Sequence, residues 1–346
     1  MPSKRVTIKD IAKECGLSIG AVSQALRPTP GSSIKTSAKT AELVRKVAEK
    51  LNYRPHTGAR ATRLNRFNNL GFFVAKDEHS YLPQGYIDGI HDAALSRDFR
   101  LSLIRLPYDP TLLKDSLPKL FREQSIDALV IASYSSLSAA IHEELKNAHY
   151  PIIYLNDKHP YNSVYVDDVV GGRMMTQHLL EKGYKNIQYT YRKPKGNPSL
   201  KSLHHSQKDR HNAYRKAMKE AGLPENIVAL PTTDSLDPLN RVETRQLFPN
   251  GRPDAIMSYD DNLASGIGKT LFKENIRVPQ DLALTGYNGD LISRAAWLNL
   301  TTVKVPTFTM GQIAIEMALE LINAKDKDQI KSRKVTPSLI PGNSIR

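Results

Sequence analysis

Cysteine occurs once, as Cys15, in 346 residues. A lone thiol excludes an internal disulfide framework and any zinc module built on several cysteines. No apolar run reaches the ~18 residues that a membrane-spanning helix requires. The stretch MPSKRVTIKD has no apolar core, so no secretory signal is expected, and a reducing, cytoplasmic setting follows. Nucleotide-binding fingerprints are missing: GGRMMT has the wrong spacing, and the GKT of IGKTL falls inside a helical pattern. No GxSxG elbow organises the scattered Ser, His and Asp residues, so hydrolytic chemistry has no support. His204, His205 and His211 lack the carboxylate or cysteine that would complete a ligand set. The sequence therefore predicts no metal, no cofactor and no enzymatic activity.

What is present is a soluble globular mixture, 40% hydrophobic and 24% charged, long enough for two or three domains of ~100–200 residues. Its formal net charge of +14 is unevenly spread. Residues 1–66 hold 14 Lys/Arg against 4 Asp/Glu, a net of +10, and the remaining 280 residues share +4. A small basic module thus precedes a large, nearly balanced one. A concentrated basic face is attracted to a polyanion and gains further by releasing its counterions.

The basic module has regular apolar periodicity, which a merely solubilising arm lacks. Ile8, Ile11, Ala12 and Cys15 recur at helical spacing, with Thr7 as cap and Asp10 in the first turn. Gly16 breaks this helix. Ser18 caps a second, with Ala21, Val22, Ala25 and Leu26 inward and Leu17 bridging the pair. A third helix, from Ser37 to about Leu51, places Leu43, Val44, Val47, Ala48 and Leu51 against the first two. Two short helices joined by a glycine turn in a basic context predict a helix-turn-helix. Its second helix would present Ile19, Gly20, Ser23 and Gln24 to the major groove, with Gln24 suited to a base edge and Ile19 to a thymine methyl. Lys9, Ser18, Ser23, Arg54 and Arg60 suit phosphates.

The stretch TIKDIAKECGLSIGAVSQAL, followed by AEKLNYRP, resembles the headpiece of the lactose/galactose repressor (LacI/GalR) family of bacterial transcription regulators. The resemblance implies operator binding as a homodimer through residues 1–54, with Thr7 among the contacts. It also implies a hinge helix and linker over 55–66, with Ala59, Arg60 and Thr62 among the DNA contacts and Thr62 at the minor-groove step. The sequence departs from the family pattern in three places. Gln24 stands where an Arg is usual. The link RPTPGSSIKTS is longer than the family's. Thr62 replaces the leucine that relatives wedge between base pairs, and Gly58 weakens the hinge helix.

From Leu70 the pattern becomes LGFFVA, a helix over about 84–97, then LSLIRL, DALVIA and PIIYLN. A second series follows through NIQYTY, RHNAYRKAMKEAG, PDAIMSY and LALTGYN. Strands alternating with helices predict parallel sheets in two similar lobes with a cleft between them. VDDVVGGRMMTQHLLEKGYKNI and RHNAYRKAMKEAGL extend the resemblance through nearly the whole module. It implies a two-lobed, periplasmic-binding-protein-like effector and dimerisation domain over 67–346. The first lobe is expected at about 67–160 and 301–323, and the second at about 161–297 and 324–346. The positions matching the family's effector residues are Arg210, Asp260 and Asn288. Tyr81, Tyr134, Tyr191 and Tyr259 are potential stacking partners, and Trp297 a potential roof over the cleft. An alternative is that Arg210 forms a structural ion pair with Asp260. The basic segment Arg192–Lys208 reads as an insertion: an inert surface loop, an adaptable lid over the cleft or a partner-binding loop.

The expected function is a ligand-responsive repressor that binds palindromic operator DNA and senses a sugar or similar small polar metabolite. Two alternatives remain: a solute-binding or sugar-processing protein on the same fold, and a DNA-binding protein without a metabolite effector.

Overall fold

The computed structural model describes residues 6–28, 33–54, 66–75, 82–106, 125–132, 143, 145–193, 204–231, 244–294, 298–324 and 329–346. It divides into two compact units, residues 1–67 and 68–346.

Among its described residues the first unit holds three helices: α1 (Ile8–Cys15), α2 (Ile19–Leu26) and α3 (Ala38–Lys50). Thr7 and Asp10 close a capping box, with the Thr7 N–H donating to Asp10 Oδ2 at 2.8 Å. Gly16 ends α1 at φ +63, a left-handed conformation that costs glycine nothing, and the chain turns at once into α2. Ser18 Oγ accepts from the Ala21 N–H at 3.2 Å, and Ser37 Oγ from the Thr40 N–H at 3.1 Å, so each later helix starts on its own cap. Ile11, Val22 and Val44 are fully buried among Ala12, Ala25, Ala41 and Ala48. Leu43 is not part of this core. It is 48% exposed, because Ala41, Val44 and Ala48 set the inward face of α3 and Leu43 lies one residue, ~100°, off it.

The second unit contains two six-stranded sheets. The first runs β11-β5-β4-β3-β1-β2, built from β1 (Asn69–Ala75), β2 (Arg100–Leu106), β3 (Ala128–Ala132), β4 (Ile152–Leu155), β5 (Ser163–Val166) and β11 (Arg333–Val335). All its pairings are parallel. α4 (Gln84–Leu95) and α9 (Thr307–Asn323) pack on it as a close pair, in which a Cβ at Gly89 would collide with the Phe308 carbonyl. The second sheet runs β12-β10-β9-β8-β6-β7, from β6 (Ile187–Arg192), β7 (Asn226–Leu230), β8 (Ala255–Ser258), β9 (Ala283–Asn288), β10 (Thr301–Lys304) and β12 (Ser338–Ile340). Its helices are α5 (Asp168–Glu181), α6 (His205–Glu220), α7 (Thr244–Leu247) and α8 (Asp261–Lys273).

Strand pairing corrects the expected lobe limits. Ser163–Val166 was expected in the second lobe, yet β5 pairs with β4 and β11 in the first sheet. Residues 301–304 were expected in the first lobe, yet β10 adds to β9 in the second, with Thr301 opposite Thr285. Of the C-terminal segment, β11 joins the first sheet and β12 the second. The chain therefore passes between lobes between β5 and α5, between β10 and α9, and between β11 and β12. The segment Arg192–Lys208 is also not a loop throughout, since Arg192 ends β6 and His205–Lys208 forms the first turn of α6.

Candidate functional site

In the basic module, burial of Val22 and Ala25 fixes the inward side of α2. Ile19 is then 50% exposed, while Gly20, Ser23 and Gln24 are half-buried beside it. Lys9 and Arg54 are exposed. Ser18, expected at the DNA backbone, and Thr7, expected among the DNA contacts, are exposed and also serve as helix caps. The hinge residues Ala59, Arg60 and Thr62 lie outside the described residues.

In the large unit, the carboxyl ends of β6, β8 and β9 meet the first turns of α5 and α6, where open α/β sheets hold their ligands. Arg210, 5% exposed, stands at the centre. Its Nε donates to Asp168 Oδ1 at 2.7 Å, one Nη to the Tyr259 carbonyl at 2.8 Å and the other to Asn288 Oδ1 at 3.5 Å. Its guanidinium also lies over the rings of Tyr287 at 3.5 Å and Tyr259 at 4.7 Å. The predicted partner Asp260 is not the one that pairs with it. Asp260 instead caps α8, accepting from the Leu263 N–H at 2.7 Å, because it sits one residue before a helix whose first N–H groups need an acceptor. Asp168 supplies the pairing carboxylate and is 1% exposed. Burial would push its pKa up, but the charge of Arg210 prevails and holds Asp168 well below the usual carboxylate range.

Around this pair lie half-buried acids. Burial raises Asp260, and raises Asp290 to about 6 despite the Asn288 amide that donates to it at 3.2 Å. Asn288 itself has φ +106, uncommon for a side-chain-bearing residue, and its amide bridges Arg210 to Asp290. The buried Asp261 accepts from the Asp290 N–H at 2.8 Å and from Thr302 Oγ1 at 2.7 Å, which anchors the turn after β9.

A hydrogen-bond chain joins the lobes at the edge of this site. His204 Nε2 lies 2.7 Å from the carbonyl of Asn156, in the β4–β5 turn of the first lobe. Its Nδ1 accepts from the Ser206 N–H at 3.3 Å and meets Ser206 Oγ at 2.7 Å, and Ser206 Oγ meets the Tyr259 hydroxyl at 2.7 Å. These partners fit one arrangement: Nε2–H donates to the carbonyl, Ser206 donates to Nδ1 and Tyr259 donates to Ser206. Burial, then the neighbouring His205, lower His204 to about 4, so the ring is neutral at pH 7. Lys158 of the same turn pairs with Asp209 at 2.9 Å.

Of the expected effector residues, the structure brings together Arg210, Tyr259, Asp260 and Asn288. Tyr191, near the end of β6, packs against His211 and Tyr189 and makes no ring contact with Arg210 among the described residues. Tyr81, Tyr134 and Trp297 lie outside the described residues. Sequence reasoning missed Asp168, Asp290 and the structural use of His204. Asp168 carried a signal, as the second of two adjacent carboxylates in VDDVVGG. Among the described residues no group of three or more His, Cys, Asp or Glu side chains could hold a metal, and no helix is long and apolar enough to cross a membrane.

A helix-turn-helix unit joined to a two-lobed body with a polar site at its strand ends defines a transcription regulator with a periplasmic-binding-protein-like effector domain. Residues 7–56 match the family described as bacterial regulatory proteins, lacI family, and residues 176–345 match the periplasmic binding protein-like domain. The regulator RegA of Clostridium saccharobutylicum is 27% identical over 331 residues, covering 93% of this chain and 94% of its own. The repressor PurR of Haemophilus influenzae (strain PittEE) is 27% identical over 361 residues, covering 98% of each. The crystal structure of the lac repressor dimer bound to operator and the anti-inducer ONPF superposes with a TM-score of 0.76 at 19% identity, covering 99% of both chains. The chain belongs to the LacI/GalR family of bacterial transcriptional regulators.

Proposed function

We propose that this regulator is a homodimeric repressor that binds a palindromic operator in the cytoplasm and releases or grips it in response to a sugar or similar small polar metabolite. The observation that carries the DNA-binding half is the net +10 of residues 1–66, the stretch that includes the capped helices α1 to α3. DNA contact is assigned to Thr7, Lys9, Ser18, Ile19, Gly20, Ser23, Gln24 and Arg54, and to Ala59, Arg60 and Thr62 in the hinge. The effector half rests on Asp260, Asn288 and Asp290, half-buried acceptors and an amide at the strand ends beside Arg210, the mixture that hydroxyl-rich ligands need. Arg210 serves there mainly as a pillar, because its nitrogens already have protein partners. A catalytic role has no counterpart in the residues assembled.

Binding to a palindromic duplex should weaken steeply with salt, with a log–log slope set by the phosphates contacted. A fragment of residues 68–346 should lose DNA binding while remaining folded and dimeric. Tight duplex binding by that fragment would sink the assignment.

A further inference from the structure

The outer side of α2 has a gap that another element fills. Gly20 has no side chain, and a Cβ built there would lie 2.7 Å from Cδ1 of Ile34. Ile34 belongs to the long link between α2 and α3, and its terminal methyl covers the Gly20 backbone. It takes the place that a side chain of the helix itself would hold. A Cβ at position 20 would push this methyl aside, a small shift because it ends a flexible side chain, so glycine leaves the spot open for Ile34 to cover.

Two large aliphatic side chains thus flank one spot on α2. Ile34 is 42% exposed and Ile19 is 50% exposed. Neither belongs to the headpiece core, which Ile11, Val22 and Val44 close without them. Leaving such surface in water at the start of the helix of a strongly basic module has a cost that a partner would recover. Charge identifies the partner class as a polyanion, and the apolar patch identifies a polyanion with apolar groups. In the major groove the one apolar feature of a base edge is the C5-methyl of thymine. Exposed Lys35, next along the chain, has the sign a flanking phosphate needs.

We infer that Ile34 is a base-reading residue, which with Ile19 forms an aliphatic platform over Gly20 that meets a thymine methyl in the operator. This rests on the reading of residues 6–54 as the operator-binding unit. It gives the lengthened link a role in sequence choice that the helix-turn-helix alone does not show.

The test begins with selection from a random duplex library by the full chain. Affinity for the recovered duplex is then measured at fixed salt, with each thymine replaced in turn by deoxyuridine, which lacks only the methyl. One position per half-site should lose about 3- to 5-fold with the wild type, the amount expected for one buried methyl. Ile34→Ala should bind the two bases alike there, and Ile34→Val, which keeps a shorter branched side chain, should retain part of the penalty. Both variants should keep the wild-type salt slope and helical circular dichroism. An unchanged deoxyuridine penalty in Ile34→Ala, or no thymine at a sensitive position, would overturn the inference. If the wild type enriches no sequence at all, the operator-binding reading falls, and this one with it.

Discussion

Asp168 and Arg210 form an ion pair 2.7 Å long that is almost wholly out of water, tying the first turn of α5 to α6. The pair is held on both sides, since Arg210 also reaches the Tyr259 carbonyl and lies against the Tyr287 ring. Attraction between buried charges roughly offsets their desolvation, whereas one charge left alone bears the whole penalty.

Removing one partner should therefore cost more than removing both. Asp168→Leu and Arg210→Met should each destabilise the large unit by about 3–5 kcal/mol. The double variant Asp168→Leu/Arg210→Met should cost less than either. Urea unfolding of the three proteins measures the difference, and additive losses would show that the charges do not depend on each other.

His204 gives a pH signature. Its folded pKa of about 4 lies below the unfolded value near 6.5, so the unfolded chain binds the extra proton first. Its contribution is complete above pH 6.5 and declines as pH falls toward 4. His204→Gln, which does not titrate, should lack this decline relative to wild type. Imidazole 15N shifts should show the Nε2–H tautomer down to about pH 5. A ring that protonates near pH 6.5 would mean that it is not buried in the hydrogen-bond chain.

Asp290 acts with the opposite sign. Its pKa, raised to about 6, makes the native state hold a proton that the unfolded state has released near pH 4. Stability from this group falls as pH rises from about 4 to 6 and then levels off. Asp290→Asn keeps an oxygen to accept from the Asn288 amide and removes the charge. It should raise stability at pH 7.5 by about 1–2 kcal/mol, allowing for solvent screening, and give no gain at pH 4. Thermal unfolding at the two pH values tests this.

Phe272, 77% exposed, and Leu291, 85% exposed, are the most exposed large hydrophobic residues described. They lie at the end of α8 and in the 3-10 turn Leu291–Arg294 that packs against that helix. If they form part of the dimer contact, Phe272→Asp/Leu291→Asp should weaken self-association at least 10-fold in sedimentation equilibrium and leave the fold intact. Unchanged association would place the interface elsewhere.

Features set by neighbouring residues were legible in the sequence. The Thr7–Asp10 cap, the Gly16 turn and the alternation of strands with helices all depend on spacing within a few positions. Leu43 was misread because α3 has apolar residues at adjacent helical positions and only packing selects one face. Lobe membership was misread for β5 and β10 because periodicity defines a strand but not the sheet it joins. The site was legible in part: Arg210, Tyr259, Asp260 and Asn288 do converge. Their partners were not, because Asp168 lies 42 positions from Arg210 and Asn156 lies 48 from His204, and no local pattern records such pairings.

Because the backbone passes between the two sheets at three places, neither lobe is one continuous stretch of gene. The first sheet needs residues 69–166 and 333–335, and its covering helix is 307–323. Any single recombination breakpoint within 68–346 therefore divides one lobe or both. Exchange of a ligand-binding lobe with a relative, as a unit, is closed to this architecture. On the proposed effector site, new specificity arises by point changes around Asp260, Asn288 and Asp290, or by replacement of the whole body behind an unchanged DNA reader.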